Sequence, residues 1–296
     1  MATEMVDLLS PQGGGIYVDA TLGLGGHGEE ILRRSVPDGR LIGFEWDGEA
    51  AALAQQRLRP YGERFQLVEA SYAGLVQELT SRGLTRVDGI IADLGVSSLQ
   101  LDRGDRGFSF MTDGPLDMRM NPALGLSAAD LVAAATEEEL ADLFYHYGEE
   151  RQARRIARFV VEAREVSAIT TTGQLVDIVR RAVPRKFYPK NVHVATRVFQ
   201  ALRIAVNREL ENVQQLLRDA PLVLRSGGRL CVLSFHSLED RMVKQAFSRD
   251  PAYSVLTRRP LVPSAAELAA NPRARSAKLR GAVISQKHQM EQGGNR

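Results

Sequence analysis

The sequence predicts an α/β protein, a doubly wound parallel sheet interrupted by an inserted all-α domain. Three observations predict it. Up to residue 93, short apolar runs alternate with helical patterns across short connections, the rhythm of a parallel sheet with crossover helices. The first run ends in a turn with four glycines in seven residues, Leu22-Gly23-Leu24-Gly25-Gly26-His27-Gly28. From residue 127 to residue 182, helical patterns follow one another with no strand between them.

The elements read in order as follows. Gly15 to Asp19 is a short buried strand and Gly28 to Ser35 a helix. Arg40 to Glu45 is a second strand and Gly48 to Arg59 an Ala-rich helix. Phe65 to Glu69 and Tyr72 to Arg82 repeat the pair, and Val87 to Asp93 is the fourth strand. Leu99 to Asn121, rich in Gly, Asp, Arg and Phe, is expected to be irregular. Helices are predicted at Ser127–Ala134, Glu137–Tyr145, Arg151–Arg164 and Thr172–Ala182, with Ser127 and Thr136 suited to N-caps. Pro184 to Asn191 is a basic loop. Val194 to Ala220 is read as one long helix returning to the sheet. Gly227 to Phe235 is a fifth strand and Asp240 to Phe247 a helix. Tyr253 to Leu256 is a candidate further strand, and an Arg- and Pro-rich tail ends the chain. The expected division is a core of residues 1–111 and 199–296 around an inserted helical domain of residues 112–198.

A chain of 296 residues has room for such a core and a smaller domain. The single cysteine, Cys231, excludes a disulfide framework and a Cys-based zinc site. No His/Asp cluster has ligand spacing, so no metal is expected. The first residues do not read as a signal peptide and no apolar run is long enough to span a bilayer, so a cytoplasmic protein without a membrane partner is expected. Net charge is only +2, but it is unevenly spread. Residues 113–150 hold 9 acids and 1 base, 151–208 hold 13 bases and 3 acids, and 249–280 hold 7 bases and 2 acids. Such blocks suit a localised polyanion site, or else solvated helix faces.

In a doubly wound sheet, ligands bind beyond the carboxyl ends of the strands. The first strand ends in Asp19 and the glycine turn, where the backbone can approach a ligand closely. Gly23, Gly25 and Gly28 match a dinucleotide fingerprint. Asp19 and His27 tilt the reading away from a pyrophosphate. A carboxylate before the loop suits the cationic amino group of a methionine moiety, and His27 adds bulk where a pyrophosphate needs the backbone. Glu45, ending the second strand, suits ribose hydroxyls in either case. Tyr72 is placed to stack on adenine or to join the core. Asp93, ending the fourth strand, is expected beside the reactive end of the cofactor.

The strings Asp19-Ala-Thr-Leu-Gly-Leu-Gly-Gly-His27, Asp93-Leu-Gly-Val-Ser-Ser98-x-Gln100, Arg106-Gly-Phe-Ser-Phe110, Pro115-Leu-Asp-Met-Arg119, Phe199-Gln-Ala-Leu-Arg-Ile-x-Val-Asn207, Ser234-Phe-His-Ser-Leu-Glu-Asp240 and Asn271-Pro-Arg-Ala-Arg-Ser-x-Lys-Leu-Arg280 resemble the ribosomal RNA small subunit methyltransferase H family, also called MraW. The resemblance covers nearly the whole chain. It implies a class I S-adenosylmethionine-dependent methyltransferase with a Rossmann-like sheet and an inserted all-α domain. It implies methylation of N4 of a cytidine, conventionally position 1402, in the decoding centre of 16S rRNA. On matching positions it implies cofactor contacts at Gly25, Gly26, His27, Glu45, Tyr72, Asp93 and Gln100. Two departures stand out. Members usually begin with a segment like His-x-Pro-Val-Leu, whereas this chain starts at Met1-Ala2-Thr3-Glu4, within or just after it. Members more often carry Asp where this chain has Glu45.

The sulfonium is a good leaving group, so alignment is the main task. The exocyclic amine must lose a proton as its lone pair is freed. Many amino-methyltransferases place Asp/Asn-Pro-Pro-aromatic after the fourth strand. Here that stretch is Asp93-Leu94-Gly95-Val96, without the prolines or the aromatic. Asp93, or a backbone carbonyl near it, assisted by Ser97 or Ser98, is the expected amine acceptor. Phe108 or Phe110 is a candidate surface for a base taken out of its stack, or a plug of the loop. His236 reads as a structural histidine. Arg151, Arg154, Arg155 and Arg158 recur at helical spacing opposite an apolar face. Arg185-Lys186-Phe187-Tyr188-Pro189-Lys190 interleaves charge with aromatics. The expected substrate-RNA contacts are Arg151, Arg155, Arg185, Lys186 and Lys190, with 16S rRNA within the small subunit as partner; the sequence leaves a homo-oligomer open. Two rival readings are an NAD-dependent oxidoreductase and a non-catalytic RNA-binding assembly factor.

Overall fold

The computed structural model describes residues 1–123 and 125–285. The last part of the expected C-terminal tail, 286–296, lies outside them. In chain order the elements are α1 (Ala2–Leu9), β1 (Ile16–Asp19), α2 (Gly26–Arg34), β2 (Arg40–Phe44), α3 (Gly48–Leu58), β3 (Phe65–Val68), α4 (Leu75–Ser81) and β4 (Val87–Asp93). Six helices follow: α5 (Ser98–Asp102), α6 (Ala128–Ala134), α7 (Glu137–His146), α8 (Ala153–Val166), α9 (Thr172–Ala182) and α10 (Thr196–Asn207). The chain closes with α11 (Glu209–Val223), β5 (Leu224–Ser234), α12 (Ser237–Arg249), β6 (Tyr253–Val255), α13 (Ala265–Ala270) and β7 (Lys278–Ile284). Two compact units divide it: Met1–Gly95 with Leu210–Arg296, and Val96–Glu209.

The first unit holds a sheet of order β3-β2-β1-β4-β5-β7-β6. β3, β2, β1, β4 and β5 run parallel, while β7 is antiparallel to both neighbours. Strands covered on both faces read as continuous apolar runs. Alternate side chains accordingly enter two cores. Val18, Ile42, Ile90 and Val232 meet Leu75, Leu79, Leu216, Ala220, Val243 and Phe247 of α4, α11 and α12. Tyr17, Leu41, Ile91 and Cys231 meet Met5, Leu9, Ile31, Leu32 and Leu58 of α1, α2 and α3.

Three features differ from the sequence reading. α1 has no counterpart in the sequence reading: it is a short amphipathic helix of 8 residues burying Met5, Val6 and Leu9, and Met1 gives it no side-chain cap. The expected single helix 194–220 is broken at Arg208, which takes a left-handed conformation (φ 50°). β7 was read as tail because Lys278, Arg280 and Gly281 interrupt its apolar run. In the fold Arg280 is 7% exposed and donates through Nε to Asp240 Oδ1 at 2.7 Å, while Lys278 Nζ reaches Oδ2 at 3.0 Å. That pairing lets a cationic strand lie inside the sheet.

The second unit is helical, with a core of Val132, Leu140, Phe144, Ile156, Val160, Leu175, Val179, Val198 and Leu202. Reciprocal capping boxes start four of its helices, through Ser97/Gln100, Ser127/Asp130, Thr136/Glu139 and Thr171/Gln174. The irregular stretch after α5 is held by side chains. Arg106 Nη2 donates to the carbonyls of Arg119 and Met120 at 2.9 and 3.0 Å. Asn207 receives the Met120 amide and donates to the Met118 carbonyl, both at 2.7 Å.

Candidate functional site

The carboxyl ends of β1, β2 and β4 bring three acids together. β1 and β4 are neighbours, with Asp19 in register with Ile91, and the amide of Asp93 donates to Thr21 Oγ1 at 2.6 Å. Asp19 is 1% exposed. Its Oδ1 accepts the Thr21 amide at 3.1 Å, whereas its Oδ2 is buried without a hydrogen-bond partner. Burial, then the nearby Asp93 and Glu45, push its pKa up to about 8. Asp93 likewise has a buried Oδ1 without a partner; burial, opposed by the positive charge of the N-terminal ammonium and helped by Glu239, raises its pKa to about 7. Glu45 is better held: Oε1 accepts the amides of Trp46 and Asp47, and Oε2 that of Gly23, all at 2.9 Å. Burial still raises it to about 7.

The glycine turn lies beside these acids. Gly23 and Gly25 have positive φ, 54° and 79°. Gly25 is the N-cap of α2, and a Cβ there would meet Leu58 at 3.3 Å. The first-turn amides of α2, Gly26 among them, have no carbonyl within the helix to meet. His27 follows. Its Nδ1 lies 3.9 Å from Asp93 Oδ2, beyond hydrogen-bond range, and its buried Nε2 has no partner. Burial lowers its pKa to about 4, so the imidazole is neutral at physiological pH.

Burying a carboxylate without a cation or donor is costly. Here three acids stand at neighbouring strand ends, two with orphaned oxygens, and a neutral histidine stands beside them. A cationic ligand would satisfy this arrangement. The sulfonium and ammonium of S-adenosylmethionine supply such charge, and the glycines leave room for a ligand against the backbone. A pyrophosphate would add negative charge to the acids.

The other expected residues have these local settings. Tyr72 begins the helical turn after β3 and packs against the sheet core. In the helical unit, Ser97 Oγ caps α5 by accepting the Gln100 amide at 3.3 Å, and Gln100 Oε1 accepts the Ser97 amide at 3.1 Å. Ser98 is the exposed first residue of α5. Phe108 is buried, with Arg106 over its ring, whereas Phe110 is half-buried, stacked on His193 and edge-on to Phe199. Arg151, Arg155, Arg185, Lys186 and Lys190 are all exposed. The Lys186 ammonium lies 5.0 Å from the centre of the Phe187 ring, itself 52% exposed.

Two contributors escaped sequence reasoning. Thr21 ties β1 to β4 through its hydroxyl. Glu239, 1% exposed, accepts the amides of Phe235 and His236 at 2.9 and 3.4 Å from the first turn of α12. His236 caps the same helix, and its Nε2 lies 3.1 Å from Glu239 Oε1 without hydrogen-bond geometry. The readable signal was the cap-to-third-residue spacing of His236 and Glu239.

Comparisons with known proteins identify the family. The sequence matches the MraW methylase family over residues 1–285. It is 53% identical over 277 residues to the ribosomal RNA small subunit methyltransferase H of Desulfotalea psychrophila, covering 94% of each chain. It is 49% identical over 300 residues to the protein of the same name from Geotalea uraniireducens, covering 95% of this chain and 96% of that one. Among solved structures, an rRNA methylase from Streptococcus thermophilus aligns with a TM-score of 0.40 at 12% identity, over 96% and 94% of the two chains. That last likeness is too distant to carry an argument.

Proposed function

Because this chain belongs to the MraW methylase family, we propose that it transfers the methyl group of S-adenosylmethionine to N4 of a cytidine in the decoding centre of 16S rRNA, conventionally position 1402. The cofactor is S-adenosylmethionine. The single observation that supports this reading best is the cluster of acids at the strand ends, Asp19 buried and Glu45 and Asp93 half-buried, with an orphaned buried oxygen on the first and last.

Asp19 and the turn at Gly25, Gly26 and His27 would hold the methionine end of the cofactor, and Glu45 the ribose hydroxyls. Tyr72 would border the adenine. The bound cofactor supplies an electrophilic methyl on a positively charged sulfur. Asp93 does the chain's own share of the chemistry. A carboxylate accepts an N–H of the cytosine amine and so frees the lone pair for bond formation. Burial raises its pKa in the ligand-free protein, and the positive charge of the bound cofactor would hold it ionised and free to accept that N–H. His27, kept neutral, adds no competing charge beside the cationic cofactor. Arg151, Arg155, Arg185, Lys186 and Lys190, exposed on the helical unit, would meet phosphates, and Phe187 offers a ring for an unstacked base.

Among the described residues no helix is long and apolar enough to cross a membrane. Calorimetric titration with S-adenosylmethionine, followed by transfer of labelled methyl to small ribosomal subunits and to free 16S rRNA, tests the proposal. Cofactor binding with label on either RNA sample supports it. Binding of NAD in place of S-adenosylmethionine, or label on neither sample, would refute it.

A further inference from the structure

The basic block near the C-terminus has no part in the proposal above. Residues 251–280 hold six bases, Arg258, Arg259, Arg273, Arg275, Lys278 and Arg280, and one acid, Glu267. Two of the six are used internally: Lys278 and Arg280 pair with Asp240. The other four are exposed arginines. The side chains of Arg258, Arg259 and Arg275 make no ion pair or hydrogen bond among the described residues.

The sheet register places these arginines at the end that carries the acids. Asp93 of β4 is opposite Leu233 of β5, and Ser234, next on β5, is opposite Lys278 of β7. β7 therefore starts at the carboxyl edge of the parallel strands. Leu261 exchanges both backbone hydrogen bonds with Leu279, each 2.9 Å. The segment between them leaves and re-enters the sheet at that edge. Arg258 and Arg259 lie just before this bridge, and Arg273 and Arg275 just before β7.

The segment is a fixed feature. Ser264 caps α13 by accepting the Glu267 amide at 3.1 Å. Ala274 and Ala277, 4% and 2% exposed, enter the core shared with Leu9, Leu32 and Leu233, and Phe235 packs against it. Small buried residues thus alternate with outward arginines: Arg273 and Arg275 flank the buried Ala274. A surface of guanidinium groups anchored this way, without interleaved aromatics, suits phosphates rather than bases.

We infer that the segment between β6 and β7 forms a second RNA-contacting rim on the methyltransferase core, at the carboxylate edge of the sheet, gripping the phosphate backbone of the substrate rRNA through Arg258, Arg259, Arg273 and Arg275. The inference rests on the rRNA reading proposed above and adds a surface to it. Phosphate contacts position the strand, so the rim sets affinity and leaves the choice of cytidine to other groups.

The test compares wild type, the triple variant Arg258→Ala/Arg259→Ala/Arg275→Ala and the matching triple lysine variant. The probes are a 16S rRNA fragment, for binding across a salt series, and small subunits with labelled cofactor. Loss of three phosphate contacts should flatten the slope of log affinity against log salt by about 2. KM for RNA should rise roughly tenfold or more, with the affinity for S-adenosylmethionine unchanged and the methylated position the same. The lysine variant should recover most of the binding, since it keeps the charge. An alanine variant with wild-type affinity and salt slope, alongside an active wild type, would overturn the rim alone. So would a lysine variant as weak as the alanine one. A wild type that neither binds nor methylates the RNA would overturn the rRNA reading, and the rim with it.

Discussion

Glu45 Oε2 accepts the amide of Gly23 at 2.9 Å, so the acid ending β2 holds the glycine turn that follows β1. The carboxylate proposed to meet the ribose therefore also shapes the loop beside it. Its other oxygen accepts two more amides, from Trp46 and Asp47. Glu45→Gln should disturb both roles, because the amide NH₂ would face at least one backbone N–H. A mismatched buried polar group costs about 1–3 kcal/mol. Calorimetry should show S-adenosylmethionine binding weakened about tenfold or more, with a small fall in melting temperature.

Asp19 links the proposed cofactor site to stability. Its pKa is raised from the ordinary carboxylate range to about 8, so the folded protein binds a proton there that the unfolded chain has released. Stability from this group is fully present below the unfolded value and is lost as pH rises towards 8. Asp19→Asn should raise the melting temperature of the ligand-free protein at pH 8 relative to wild type and do little at pH 4. It should also abolish tight cofactor binding. Differential scanning fluorimetry across pH checks the first expectation and calorimetry the second.

The same raised pKa values predict a proton linkage. A cationic ligand favours the ionised forms of Asp19, Glu45 and Asp93. Binding of S-adenosylmethionine near pH 7 should release protons, and its affinity should fall as pH is lowered from 8 to 6. Titration in two buffers of different ionisation enthalpy measures the release. An affinity that rises on acidification would contradict the cation-site account.

Asp240 tests the sheet. It neutralises Arg280, which is 7% exposed, and holds Lys278. Removing one partner of a buried pair leaves the other charge uncompensated, at a cost of about 3–5 kcal/mol. Asp240→Ala should therefore lower stability sharply in urea denaturation. Asp240→Ala/Arg280→Met should recover much of the loss.

The legible parts of this protein are those with local signals. Asp19, Glu45 and Asp93 can be placed from the sequence because each closes an apolar run. The glycine turn is readable because Gly23 and Gly25 need positive φ. β7 is not readable, since Arg280 is made acceptable by Asp240, 40 residues earlier in the chain. The break at Arg208 is hidden for a similar reason. Asn207 is engaged with the carbonyl of Met118 and the amide of Met120, far upstream in sequence. The capping tasks of Ser97 and Gln100 are legible in their three-residue spacing. The orphaned oxygens that best support the cofactor reading are visible only once the strand ends stand side by side.

The basic loop of the helical unit is open to substitution because its side chains are exposed. Replacing Arg185, Lys186 and Lys190 with Ala should weaken binding to a 16S rRNA fragment and reduce the salt slope by about 2. The melting temperature should stay within about a degree or two of wild type, as surface changes of this kind cost little. Filter binding over a salt series provides the measurement.

The central claim is that Asp93 serves methyl transfer to a cytidine N4. It is tested most directly by mapping the product. Small subunits from cells lacking the activity are incubated with labelled S-adenosylmethionine and wild-type protein or Asp93→Ala, then digested and analysed for N4-methylcytidine by mass spectrometry. Wild type should place the label on N4 of one 16S rRNA cytidine, whereas Asp93→Ala should lose turnover at least a hundredfold at saturating cofactor, the scale typical of a lost general base. Label on another atom or another RNA, or near-normal turnover by Asp93→Ala, would contradict the account.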